Sequence, residues 1–138
     1  MSRMIFVNLP VLDLARSMTF HEALGARNEP RFTDQSAAMM VISDTISIML
    51  LTHDRFRDFT PKAIADAHAV SEVLLALSAD SRAQVDETID KAVEAGGRAD
   101  PCPTQDYGFM YGRSYEDLDG HIFEVVWMDM SAMDREDS

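Results

Sequence analysis

The sequence predicts an α+β fold in which one strand–helix–strands module occurs twice. Three observations carry the prediction. The order strand–helix–strands occurs twice along the 138 residues. Each time the first strand turns into its helix at an aspartate, Asp13 and then Asp80, and each helix stops at glycine, Gly25 and then Gly96–Gly97. The strands also alternate in polarity, so each has one apolar face to lay against a helix. Neither repeat could bury its sheet face and helix alone, so the two halves are expected to pair. The first module spans about residues 4–53 and the second about 71–129, with a linker over 54–70 and a polar tail over 130–138.

Taken in order, Met4 to Pro10 predicts a strand with Ile5, Val7 and Leu9 on one face and Phe6 and Asn8 on the other. Asp13 then caps a helix running to Leu24, whose apolar side is expected from Leu14, Met18 and Leu24 with Phe20 beside them. Arg27 to Asp34 predicts a short polar strand. A hairpin follows, with arms Ala37–Ser43 and Thr45–Thr52 turning near Ser43–Asp44. The linker, with Pro61 and mixed charge, reads as irregular chain with helical turns. The pattern then restarts with a strand over Ser71–Ala79. Ser81-x-x-Gln84 is a capping box that opens a helix with Val85, Ile89, Ala92 and Val93 at helical spacing. A strand around Arg98 to Pro103 contains two prolines, which fits an edge. Phe109–Tyr115 and the final strand make a terminal hairpin.

Composition bounds the function. The chain is 46% apolar and 26% charged, an ordinary globular balance for a single domain. No stretch approaches the roughly 20 apolar residues of a membrane span, so no membrane partner is expected. Cys102 is the one cysteine, which excludes an internal disulfide and suits a reducing cytoplasm. With 24 acids against 12 bases the net charge is −12, which argues against nucleic acid. Such acidity is compatible with a cationic ligand, although its ordinary role is solubility.

The chemistry centres on DLDGHIFEVVW, residues 117–127. Asp-Leu-Asp-Gly is turn chemistry. In the strand that follows, Phe123, Val125 and Trp127 take one face, and Ile122, Glu124 and Val126 the other. A carboxylate in mid-strand between Ile122 and Val126 is costly to desolvate without a cation, a hydrogen-bond donor or water. Glu124 is therefore the candidate catalytic or ligand-contacting group. Strand parity puts Phe6, Asn8, Ser47, Met49 and Leu51 of the first module on the face equivalent to that of Glu124. Leu74, Met110 and Ser114 of the second module join it, with Gly112 between the last two. Together they make a mostly apolar basin with a few polar handles, as small-molecule sites usually are.

Three stretches, FVNLPVLDLARSMTFHEALGA, LLALSADSRAQVDETIDKAVEAGG and YGRSYEDLDGHIFEVVWMD, resemble the vicinal oxygen chelate superfamily. This is the glyoxalase, bleomycin-resistance and extradiol-dioxygenase group; the resemblance implies two paired βαβββ modules forming an open, cup-shaped mixed sheet, and the likeness runs over roughly residues 4–129. The resemblance implies that metal-dependent members carry His or Gln on the first strand of each half and Glu on the last strand of one or both halves. Those positions fall here on Phe6, Leu74, Met49 and Glu124. Phenyl and isobutyl groups do not coordinate metals, and a thioether is a poor ligand for hard or borderline cations. Glu124 alone keeps a ligand type, so no cofactor is assigned and the usual divalent metal is disfavoured. His21, His53, His68 and His121 read as packing or surface residues, and Cys102 has no base placed beside it by sequence.

Two functional classes follow. The first is a non-catalytic small-molecule-binding protein, as metal-free bleomycin-resistance relatives are. The alternative is a lyase- or dioxygenase-like enzyme using a non-standard metal ligand set or Glu124 as general base. A homodimer is expected, because edge strands and an aromatic-rich basin need covering.

Overall fold

A computed structural model describes residues 2–131; the part of the expected polar tail beyond Ser131 lies outside them. The chain divides into two compact units, the first ending at Val70 and the second beginning at Ser71.

The first unit runs β1 (Ile5–Val11), α1 (Leu14–Ala23), β2 (Arg27–Glu29), a short 3-10 turn (Pro30–Phe32), β3 (Ala37–Val41), β4 (Ile46–Thr52) and α2 (His53–Arg57). Its sheet has the order β1-β4-β3-β2, with β1 parallel to β4 and the other pairs antiparallel. The register puts Leu9 beside Leu50, and Leu50 beside Ala38, in one row. Ile48 and Met40 extend that row, and all five are buried. Asp13 caps α1 by accepting from the Arg16 amide at 3.1 Å.

The expected apolar side of α1 is displaced. The helix buries Ser17, Phe20 and His21, while Leu14, Met18 and Leu24 are only half-buried. Residues 17, 20 and 21 form one stripe at helical spacing, and two of them are polar, which hid the stripe from an apolar count. His21 is part of this packing, edge-on to Phe20 with ring centres 5.1 Å apart.

The second unit runs β5 (Leu75–Ser78), α3 (Arg82–Glu94), β6 (Arg98–Ala99), β7 (Gln105–Asp106), β8 (Met110–Glu116) and β9 (Ile122–Met128). Its sheet has the order β5-β9-β8-β6, with β7 also on β8. Here the first strand is shorter than the expected Ser71–Ala79, and Leu74 falls outside it. β9 begins at Ile122, and Asp117–His121 is closed into a turn, so the chain before Leu74 has no ladder to join; Leu74, level with Ile122, immediately precedes β5. Ser81 caps α3 by accepting from the Gln84 amide at 3.0 Å, so Ser81, rather than Asp80, is the structural counterpart of Asp13. Gln84 reaches back to the Asp80 amide. Val85, Ile89 and Ala92 are buried, whereas Val93 lies one residue off that stripe and is 49% exposed. The expected edge strand around Arg98 to Pro103 shortens to β6 (Arg98–Ala99), and β7 begins only after the Pro-Cys-Pro segment, at Gln105. Among the described residues, no helix is long and apolar enough to cross a membrane.

Candidate functional site

The site is built up most clearly in the second unit. Asp117 Oδ1 accepts from the Asp119 and His121 amides, both at 2.9 Å. Gly120 completes the turn at φ 85°, a conformation that favours glycine. This closure starts β9 at Ile122 and so sets its parity. Phe123 and Val125 point to the buried side, where Phe123 stacks on Tyr115 at 5.2 Å. Glu124 takes the other side, half-buried, with Ala76 of β5 and Ser114 of β8 as its register partners. At the far end of the same face Met110 lies opposite Met128.

Glu124 has no hydrogen-bond or ion-pair partner among the described residues. The other buried or half-buried carboxylates do. Glu29 pairs with Arg27 and Arg31, Glu116 with Arg98, and Asp86 with Arg113. Asp117 caps its turn, Asp129 accepts from Ser131, and Asp119 is also engaged. Ser114 is less available than its position suggests. It is buried, and its hydroxyl accepts from the Cys102 amide at 3.1 Å, holding the Pro-Cys-Pro segment against β8.

In the first unit the register brings the remaining expected residues onto one face. Phe6 lies opposite Ser47, Asn8 opposite Met49, and Pro10 opposite Leu51. Met39 flanks Met49 from β3. Ser47 and Leu51 are buried, Met49 is half-buried, and Asn8 and Phe6 are exposed, Phe6 to 48%. The Ser47 hydroxyl is buried without a hydrogen-bond partner among the described residues. Leu74 immediately precedes β5 and is 48% exposed.

Sequence reasoning missed a charged network on the opposite side of β8. Arg113 donates from Nε and NH2 to Asp100 at 3.0 and 2.7 Å, and from NH1 to Asp86 at 2.9 Å. Tyr111 donates its hydroxyl to the same Asp86 oxygen at 2.6 Å. Arg82 grips Asp106 through both nitrogens and lies 4.8 Å over the Tyr111 ring and 5.5 Å over Trp127. The Tyr111 hydroxyl and then Arg113 hold the Asp86 carboxyl below its usual range, and Arg113 does the same to Asp100. Asp86 in turn pushes the Tyr111 hydroxyl up. These groups neutralise one another and tie the start of α3 to β8 and to the 100–106 loop. The available signal was Arg113 itself, an arginine at a helix-side position of β8, which demands acidic partners.

With this geometry in view, the comparisons decide the family. The sequence matches the Glyoxalase/Bleomycin resistance protein/Dioxygenase superfamily over residues 3–125. The chain belongs to that superfamily. No curated protein matches it at a significant level. Among solved structures, a hypothetical protein from S. aureus is 29% identical, with a TM-score of 0.76 over 92% of this chain and 95% of that one. A glyoxalase/bleomycin resistance protein/dioxygenase family enzyme from Burkholderia phytofirmans shares the fold at 16% identity, with a TM-score of 0.73 over 92% of this chain and 99% of that one. So does the fosfomycin resistance protein FosX from Mesorhizobium loti, at 19% identity and a TM-score of 0.63, over 96% and 95% of the two chains. These likenesses bear out the α+β fold predicted from the sequence.

The metal that the superfamily's metal-dependent members hold does not fit the residues here. Of the four positions that the resemblance assigns to metal ligands, Phe6, Met49 and Leu74 offer no oxygen or nitrogen donor, and Glu124 is a single carboxylate. Among the described residues no group of three or more His, Cys, Asp or Glu side chains is placed to hold a metal ion. His121 precedes β9 and His53 opens α2, so neither lies on the strand positions that the family uses.

Proposed function

We propose that this protein is a small-molecule-binding member of the superfamily that works without the usual divalent metal. The observation that supports the reading most directly is the donor set: one carboxylate, Glu124, where metal-dependent relatives carry several ligands. The surfaces around these positions suit a ligand instead. In the second unit an unpartnered carboxylate stands among Ile122, Val126 and Ala76. In the first, Asn8 and an orphaned Ser47 hydroxyl accompany Phe6 and Met49. Apolar ground with few polar handles binds small molecules by burial and orients them by hydrogen bonds.

The proposal includes a homodimer. Its support is β1 and β5, each the outer strand of its sheet, with Ile5, Phe6 and the residues leading into β5 exposed. A lone half-buried cysteine also suits a reducing, cytoplasmic setting. The test is a thermal-shift screen of small molecules run with and without a chelator. Saturable stabilisation unaffected by chelator supports the reading. Stoichiometric zinc, nickel, iron or manganese in protein purified without chelator, released by Glu124→Ala, would overturn it.

A further inference from the structure

We infer that the ligand is an organic cation, a protonated amine on an apolar body, and that Glu124 is its anchor. The inference rests on the small-molecule reading above and specifies its chemistry. Its starting point is the isolation of Glu124. Among the described residues, every other buried or half-buried carboxylate has a basic, hydroxyl or amide partner, or is otherwise engaged. No Arg or Lys shares the face of Glu124 on β5, β8 or β9; Arg98, on that face of β6, pairs with Glu116, and Arg113 points to the other face and is committed to Asp86 and Asp100.

The ground around the carboxylate is low. Its register partners are Ala76 and Ser114, and the Ser114 hydroxyl accepts from the Cys102 amide. Gly112 is diagonal to it on β8, where an added Cβ would already come within 3.5 Å of Val126. Glu124 therefore rises from small neighbours, with Ile122 and Val126 as its apolar flanks. A ligand body settling on those flanks removes water from the carboxylate. A neutral donor would then leave the charge uncompensated, whereas an ammonium group supplies both the hydrogen bonds and the opposite charge. The chain's net charge of −12 concentrates cations and repels anions around the protein as a whole.

The experiment uses three molecules of nearly one shape, 2-phenylethylamine, 2-phenylethanol and phenylacetate, titrated into the full-length protein. Binding is followed by backbone-amide NMR. The amine is expected to bind at least about tenfold more tightly than the alcohol. Phenylacetate should bind most weakly, and the largest shifts should fall on Ala76, Ser114 and Glu124. In Glu124→Gln the preference for the amine over the alcohol should vanish. Equal affinities for amine and alcohol, or a preference that survives Glu124→Gln, would overturn the cation assignment and leave small-molecule binding standing. No saturable shift from any of the three at millimolar concentration would count against both. If Glu124→Gln failed to fold, the comparison of amine with alcohol on the wild-type protein would still decide.

Discussion

Replacing Arg113 with methionine keeps most of the side-chain volume but removes the centre of the charged network on β8. Three hydrogen bonds are lost, two to Asp100 and one to Asp86. Hydrogen bonds to charged groups contribute about 1.5–3 kcal/mol each when desolvated. Here the Asp86 and Asp100 side chains are 50% and 34% exposed, so solvent screens much of that value. The expected loss for the whole cluster is about 2 kcal/mol at neutral pH. The pH dependence follows from the direction of the shifts. Both carboxyls titrate below their ordinary value of 3.8 in the folded protein, Asp86 first through Tyr111 and then Arg113, Asp100 first through Arg113. Their stabilisation is therefore fully present above 3.8 and disappears as the pH falls through the lowered folded values. Urea unfolding, followed by the fluorescence of the single tryptophan, Trp127, measures the gap between wild type and Arg113→Met at neutral pH and at about pH 3. The gap should close markedly in acid. A gap of the same size at both pH values would refute the assignment of the stability to these ion pairs and point to packing of the arginine stem.

Glu124→Gln should leave stability within about 0.5 kcal/mol of wild type or raise it, because no partner is stranded; unfolding that shows a loss above about 3 kcal/mol would reveal a charged partner. Nickel or zinc should not raise the melting temperature, although a metal at 100 times its dissociation constant would add about 2.7 kcal/mol; a saturable rise that Glu124→Ala abolishes would contradict the donor-set argument. Asp13→Ala removes the α1 cap and should cost about 1 kcal/mol in urea unfolding; unchanged stability would show that the Arg16 amide finds water equally well. Light scattering should give about twice the 15.4 kDa chain mass, and a concentration-independent monomer would end the dimer proposal.

Much of the fold was legible because its signals are local. A cap acts on an amide three residues away, as Asp13 does on Arg16 and Ser81 on Gln84, and glycine ends a helix at the next turn. Strand parity is equally local. Once the Asp117–Gly120 turn was recognised, the side taken by Glu124 followed from alternation alone, and within the second unit Glu124 lies opposite Phe123 and Val125 as alternation requires. The same counting aligned Phe6, Asn8, Ser47 and Met49 on one face of the first unit.

What the sequence determined by itself, then, was the order of elements, their caps and the faces of their strands, since these depend on neighbours one to four residues away. The tertiary structure decided which residues meet partners from distant chain. Leu74 has the right parity but immediately precedes β5, whose pairing with β9 starts at Leu75 opposite Phe123. Ser17 and His21 are buried because the strands beside α1 face them, whatever their polarity. The hydroxyl of Ser114 is committed by Cys102, twelve residues away, and Arg113 by Asp86, twenty-seven away. Burial and ion pairing are sums over such distant neighbours, and no periodicity along the chain encodes them. That is why Glu124 could be located from the sequence, whereas its lack of a partner became visible only in three dimensions.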